Sequence, residues 1–296
     1  MNRFLVIGGN GQVGTALHHL PLSENIVLIS PNRSELDVTS PESIDAFMAS
    51  GPWSGVINLA AYTAVNRAED ELAAAWQANA EAPGYLAKAT ALLNIPIVHV
   101  STDYVFSGDL DRAYREEDAV APLGVYGASK EAGEQAVRSG NARHAIVRTS
   151  WVVSPYRTNF VKTMLRLAED RDQVRVVADQ FGAPTSAKDL ASFLLSVAMR
   201  LSSDPSAPTG TFHFSNRGEA SWADVAEETF RVSALHGGPT ARVERIATDD
   251  YPTRAMRPKN SRLNTALIGQ AFGIVPLPWQ DALRDIVFEL VKGDQV

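Results

Sequence analysis

The stretch that most constrains this chain lies near its N-terminus. Phe4 to Ile7 is an apolar run of strand-forming residues, and it passes directly into Gly8-Gly9-Asn10-Gly11-Gln12-Val13-Gly14. Gly8, Gly11 and Gly14 recur at every third position, and the amphipathic segment Gln12 to Leu20 follows. Glycine permits a tight turn, lets backbone N–H groups approach a pyrophosphate, and allows a helix to pack closely on a strand. A strand, a glycine turn and a helix in that order make a dinucleotide site, with Gly8, Asn10, Gly11, Gln12, Val13 and Gly14 as candidate contacts.

The alternation continues. Strands are expected at Ile26 to Ser30, Gly55 to Leu59 and Ile97 to Val100, with helices beginning near Pro41 and spanning Glu71 to Leu93. Successive β-α-β units predict an α/β fold with a doubly wound parallel sheet of Rossmann type, whose ligands bind outside the strand ends. An acidic residue after the second strand would favour the free 2′-hydroxyl of NAD. This chain has Ser30-Pro31-Asn32-Arg33 there, and Arg33 suits a 2′-phosphate, so the reading is NADPH with NADH left open. Asp37 and Val38 are candidates for the adenine border, Asp37 equally for the cap of the helix beginning near Pro41, and Ala61, Tyr62 and Thr63 after the third strand are further cofactor candidates.

The fourth strand ends in Ser101-Thr102-Asp103-Tyr104, and a later helix carries Tyr126-Gly-Ala-Ser-Lys130. Residues four apart share a helical face, so the Tyr126 phenol and Lys130 ammonium point into one space. A carbonyl that receives hydride on carbon needs a proton on oxygen, which a phenol can give. A cation nearby is expected to lower the phenol from its usual value near 10. The Thr102 hydroxyl would steady the same oxygen. Tyr126, Lys130 and Thr102 are therefore the catalytic candidates.

Composition removes other chemistries. The chain has 296 residues and no cysteine, so disulfides and thiolate chemistry are excluded together. Its six histidines fall at no metal-binding spacing, and no metal is expected. A net charge of −7 argues against a nucleic-acid partner. With neither a membrane-spanning run nor a signal-peptide core, a soluble cytoplasmic protein is expected. An anionic ligand must be met by local cations. Arg254 to Arg262 holds four of them and no acid, and Arg257 and Arg262 are the leading candidates for binding a diphosphate.

These motifs are similar to those of the extended short-chain dehydrogenase/reductase family: Gly8 to Gly14, Ser101 to Phe106, and Tyr126 with Lys130. Ala60 to Val65, Arg148 to Val152, Asp179 to Thr185 and Arg257 to Leu263 resemble its dTDP-4-dehydrorhamnose reductase branch, and the resemblance covers essentially the whole chain. It implies NAD(P)H-dependent reduction of the C4 keto group of a nucleotide-diphosphate sugar, dTDP-4-dehydro-L-rhamnose, with Tyr126 as proton donor. By the same resemblance Lys130 holds the nicotinamide ribose, while Thr102, Asp103, Tyr104 and Trp151 meet the sugar. Residues 1–150 would form the dinucleotide-binding domain and 151–296 mainly a smaller substrate lobe, interleaved with the first. Some members are dimers bridged by Mg²⁺ through three glutamates; here the matching places hold Ala16, Lys188 and Glu289. A monomer or weak homodimer without metal is the expectation. Two other readings stay open: an epimerase or other nucleotide-sugar enzyme of this fold, and a non-catalytic relative like the regulatory subunit of methionine adenosyltransferase.

Overall fold

The computed structural model describes residues 1–293. The chain first runs β1 (Asn2–Ile7), α1 (Gln12–His18), β2 (Ile26–Ile29), α2 (Pro41–Met48) and β3 (Gly55–Asn58). It continues through α3 (Val65–Ala68), α4 (Leu72–Trp76), a π-helical turn (Gln77–Glu81), α5 (Ala82–Leu92), β4 (Ile97–Thr102), α6 (Val125–Gly140) and β5 (His144–Thr149). After these come β6 (Val152–Val153), α7 (Phe160–Asp170), β7 (Gln173–Val177), β8 (Phe181–Gly182), β9 (Thr185–Ser186), α8 (Ala187–Ser203) and β10 (Gly210–His213). The last elements are β11 (Ala220–Ser221), α9 (Trp222–Leu235), β12 (Arg242–Ile246), α10 (Ala266–Phe272) and α11 (Trp279–Gly293).

Six strands form one sheet in the order β10-β5-β4-β3-β1-β2, all paired in parallel. Helices cover both faces, which is why the strands read as near-continuous apolar runs. Side chains alternate across the pleat. Phe4, Val6, Ile57, Val98 and Val147 face α8 and its Leu190 and Leu194, while Leu5, Ile7, Val56, Ile97 and Ile146 face Ile44, Leu86 and Val137 on α2, α5 and α6. The strand order reverses between β1 and β3, leaving a crevice at their C-terminal ends.

The remaining elements build a second cluster on α7, α9 and α11, with the two-stranded pairs β12-β7, β6-β9 and β11-β8 at its edges. Chain order does not follow this division. Helix α8 packs into the sheet's core and β10 pairs with β5, so the chain crosses back before completing the second cluster.

One expected element differs. The helix anticipated over Glu71 to Leu93 is interrupted by the π-helical turn. Pro83 has no N–H to offer the carbonyl four residues earlier, that of Asn79. The turn also buries the Asn79 side chain, whose amide meets the Tyr62 backbone and the Ser129 hydroxyl. Elsewhere the boundaries differ from expectation by a few residues, as element ends do.

Across the sheet runs a buried ion pair. Arg148 on β5 donates through Nε and Nη2 to the two oxygens of Glu134 on α6, at 2.8 and 2.7 Å. Its guanidinium carbon lies 5.0 Å from the centre of the Phe106 ring, and His213 of β10 closes the group. Without Arg148, the buried Glu134 carboxylate would keep only a longer contact with the half-exposed Arg138 at 3.5 Å, among the described residues. Arg148→Met is expected to cost about 3–5 kcal/mol in urea unfolding, and Glu134→Leu with Arg148→Met together should recover most of that loss.

Candidate active site

Glycine turn and strand ends meet in a cavity of about 750 Å³. Gly8 sits at φ 82°, and a Cβ there would lie 2.8 Å from the Ala60 nitrogen at the end of β3. At Gly14 a Cβ would lie 2.5 Å from Gly9 Cα, so its absence lets α1 pack on the turn. Gly8, Gly11, Gln12, Val13 and Gly14 line one end of the cavity. Ala61 and Thr63 line the next part, after β3. Tyr62 turns away: its hydroxyl donates to Glu71 at 2.7 Å, and the carboxylate pushes its phenol up.

The end of β4 supplies Ser101 and Thr102, and the 3₁₀ turn that follows supplies Asp103 and Tyr104, all on the cavity wall. The Thr102 hydroxyl donates to Asp103 at 2.9 Å. Burial pushes the Asp103 carboxyl up to about 6, against opposing hydrogen bonds led by Ser261 and Thr102. Tyr104 is pushed up to about 12, again chiefly by burial, and its ring meets Tyr126 edge to face at 5.6 Å.

Helix α6 delivers Tyr126 and Lys130 to the same wall. Its first N–H, that of Val125, is capped by the Glu69 carboxylate at 2.9 Å. Lys130 is almost fully buried, and its ammonium donates to the Val100 carbonyl at 2.7 Å with His99 Nε2 at 3.5 Å. Burial lowers it to about 8, an effect that Glu134 one turn on partly offsets. His99 is held neutral by burial and by the ammonium beside it. The expected lowering of the Tyr126 phenol by Lys130 is not found, and the shift runs the other way. Burial raises the phenol, Asp103 and Tyr104 add to the rise, and a hydrogen bond with Thr102 offsets part of it. Tyr126 is therefore held as a neutral phenol, the form that donates a proton.

The opposite wall comes from the second cluster. Trp151 stands at φ 48° and stacks on Trp222 with ring centres 3.7 Å apart, and both line the cavity. Trp222 was not among the sequence candidates; as the first residue of an expected helix it carried no local sign of a site. Arg157 and Thr158 also line the cavity and were likewise missed.

Of the two arginines expected to clamp a diphosphate, the structure brings Arg257 to the cavity but not Arg262. Arg262 is engaged elsewhere, pairing with Glu219 at 2.7 Å and donating to the Asp111 carbonyl and Asn260. Asn10, Arg33, Asp37 and Val38 lie outside the cavity lining. Asp37 accepts from the Thr39 hydroxyl and N–H, which hold its carboxyl below the usual range, and Val38 packs under the sheet. Arg33 is exposed just beyond β2, where His18 meets Ser30 at 2.6 Å.

The lining suits a polar, flat ligand. Ser101 Oγ and Thr149 Oγ1 are buried on the wall with no partner among the described residues, and such groups call for a ligand's donors and acceptors. Together with the glycine cradle they fit a dinucleotide and a hydroxylated substrate. Among the described residues no cluster of three or more His, Asp or Glu could hold a metal, and no helix is long and apolar enough to cross a membrane.

The sequence matches the family model described as the RmlD substrate binding domain over residues 1–292. It is 41% identical over 290 residues to a dTDP-4-dehydrorhamnose reductase of Sinorhizobium fredii, covering 98% of each chain. It is 39% identical to the enzyme of that name from Escherichia coli K12, covering 97% of each. Among solved structures, dTDP-4-dehydrorhamnose reductase from Bacillus anthracis in complex with NADP superposes with a TM-score of 0.91 at 34% identity, covering 98% of this chain and all of that one.

The buried Asp103 carboxyl gives a pH test that needs no substrate. Its folded value, about 6, exceeds the ordinary 3.8, so the folded protein binds more protons between those values and loses stability as pH rises through them. Above about pH 6 the penalty is fully present. Asp103→Asn should remove it, flattening the unfolding free energy across that window by on the order of 2–3 kcal/mol relative to wild type.

Proposed function

The chain belongs to the RmlD substrate-binding-domain family, and from that membership we propose that it reduces the C4 keto group of dTDP-4-dehydro-L-rhamnose to give dTDP-L-rhamnose, with NADPH as reductant. The observation that carries this reading is the convergence of Tyr126, Lys130 and Thr102 on the wall of one cavity whose far end is the glycine turn.

The nicotinamide, when bound, supplies the hydride. The glycine turn would hold the dinucleotide's phosphates, with Ala61 and Thr63 beside its nicotinamide end. The Lys130 ammonium, anchored at the Val100 carbonyl, would hold the nicotinamide ribose. Tyr126 passes its phenolic proton to the C4 oxygen as that oxygen gains charge, and Thr102 orients both. Asp103 receives a sugar hydroxyl, and Tyr104 and the Trp151–Trp222 stack enclose the ring. Arg257 neutralises the substrate's diphosphate. Arg33, Asp37 and Val38 are assigned to the adenosine end, beyond the cavity, with Arg33 favouring the 2′-phosphate.

We divide the work between residues 1–150, which bind the cofactor, and 151–296, which mainly bind the sugar nucleotide, with α8 and β10 serving the first part. We assign the reaction to the cytoplasm. We also propose that no Mg²⁺ bridges two copies, because Lys188 is a cation and Ala16 is buried where two carboxylates would be needed. A monomer or weak homodimer follows.

Two measurements test the mechanism. With NADPH and dTDP-4-dehydro-L-rhamnose, Tyr126→Phe should lower kcat on the order of a hundredfold or more while NADPH still binds, the loss expected for a missing general acid; an unchanged kcat would remove Tyr126 from that role. In wild type, kcat/KM for NADPH should fall as pH rises through about 8, where Lys130 gives up its charge. A profile flat to pH 10 would contradict the ammonium's part.

A further inference from the structure

Three cations stand in the cavity lining, and they are spread along it: Arg257 beside Tyr104, Lys130 at the foot of α6, and Arg157 against the glycine turn. The first two belong to the sugar and nicotinamide ends in the function proposed above. Arg157 has no assigned work, and it reaches the turn from a segment 147 residues away.

That segment, residues 154–159, is strapped onto the turn. Ser154 and Asn159 both donate to the Gln12 side-chain oxygen, at 2.7 and 3.0 Å, and Gln12 in turn donates to the Val152 carbonyl. Tyr156 stacks on His19 at the other end of α1, with ring centres 5.2 Å apart. Between these anchors Arg157 takes the left-handed backbone at φ 55°, a conformation that residues with a Cβ rarely adopt and that the flanking contacts hold.

The side chain is exposed but tethered to the turn. Its Nε–H donates to the Asn10 carbonyl at 2.7 Å, which sets the guanidinium plane over the turn. The two terminal nitrogens have no hydrogen bond and no carboxylate partner among the described residues, although the chain carries a net charge of −7. A guanidinium held by one edge with its fork free is shaped for paired phosphate oxygens.

We propose that Arg157 is a binding residue for the cofactor's diphosphate, so that the cofactor is gripped from both lobes and not by the glycine turn alone. The inference rests on the reading of this cavity as a dinucleotide site. It places a cation at the phosphates that the turn's own sequence, which has none, does not provide.

The test compares wild type, Arg157→Ala and Arg157→Lys by calorimetric titration with three probes: NADPH, ADP-ribose, which keeps the diphosphate, and adenosine 2′-monophosphate, which lacks it. Arg157→Ala is expected to weaken NADPH and ADP-ribose by roughly 10- to 100-fold while leaving adenosine 2′-monophosphate within about twofold, with Arg157→Lys between. The salt dependence of NADPH binding should also flatten in the alanine variant. Equal affinities in all three proteins would overturn the proposal. So would an equal loss for all three probes, which would make the strap a structural support only. If wild type itself bound neither NADPH nor ADP-ribose, the reading of the cavity would fall first, and this inference with it.

Discussion

The site depends on how closely one helix approaches its neighbours. A Cβ on Gly127 would stand 2.1 Å from the Tyr104 carbonyl oxygen, and one on Gly133 would stand 2.0 Å from the Asn79 carbonyl oxygen. Helix α6 is thus wedged between the end of β4 and the π-helical turn, with backbone against backbone at both contacts. Its inward face carries Lys130, Glu134 and Val137 at helical spacing. Each is tied differently: Lys130 to the Val100 carbonyl, Glu134 to Arg148, Val137 to the apolar layer under the sheet. A rotation of the helix that withdrew Tyr126 from the cavity would have to unpair two buried charges, which makes the placement of that phenol a property of the core.

The π-helical turn belongs to the same argument. Pro83 releases the Asn79 carbonyl from the helical ladder, and that is the oxygen on which Gly133 rests. The Asn79 side chain holds the backbone of Tyr62 on one side and the Ser129 hydroxyl on the other. One residue in an irregular turn therefore sets both the rim after β3 and the depth of α6. Irregular turns of this kind inside helices often accompany functional sites, and here the mechanical reason is visible.

How much of this the sequence discloses follows from the range of the interactions. The glycine turn, the alternating apolar runs and the i, i+4 pairing of Tyr126 with Lys130 are local patterns, and the fold class follows from them. Trp222, Arg157 and the Asn79 bridge depend on contacts between segments far apart in the chain, which leave no periodic trace in the local sequence. Arg262 shows the converse. Charge density pointed to it together with Arg257, but which of two nearby guanidinium groups faces the cavity is decided by Glu219, forty-three residues away. The direction of the Tyr126 shift was misjudged for a related reason: spacing reveals the cation four residues on, but not that its donors are engaged at a strand carbonyl or that dehydration of the wall has the larger effect.

Dehydration also decides how charge is arranged at neutral pH. Asp103 and Lys130 line one wall, and burial moves their values toward each other, to about 6 and about 8. At pH 7 the carboxyl is mostly ionised and the amine mostly protonated, each within about one unit of reversing. Between them Tyr126 and Tyr104 remain neutral phenols. Both groups are already buried away from water, so a ligand that covered the wall would have to supply through its own hydroxyls and amide what burial has taken from them. The unpartnered hydroxyls of Ser101 and Thr149 are the protein's half of that exchange. A polyhydroxylated ligand can complete it, whereas an apolar ligand of the same shape would leave each of these groups dry and unpaired. A wall of this kind favours a polar ligand over a hydrocarbon because of buried groups that the fold leaves unsatisfied, at a place where the surrounding helix and strand hold them fixed.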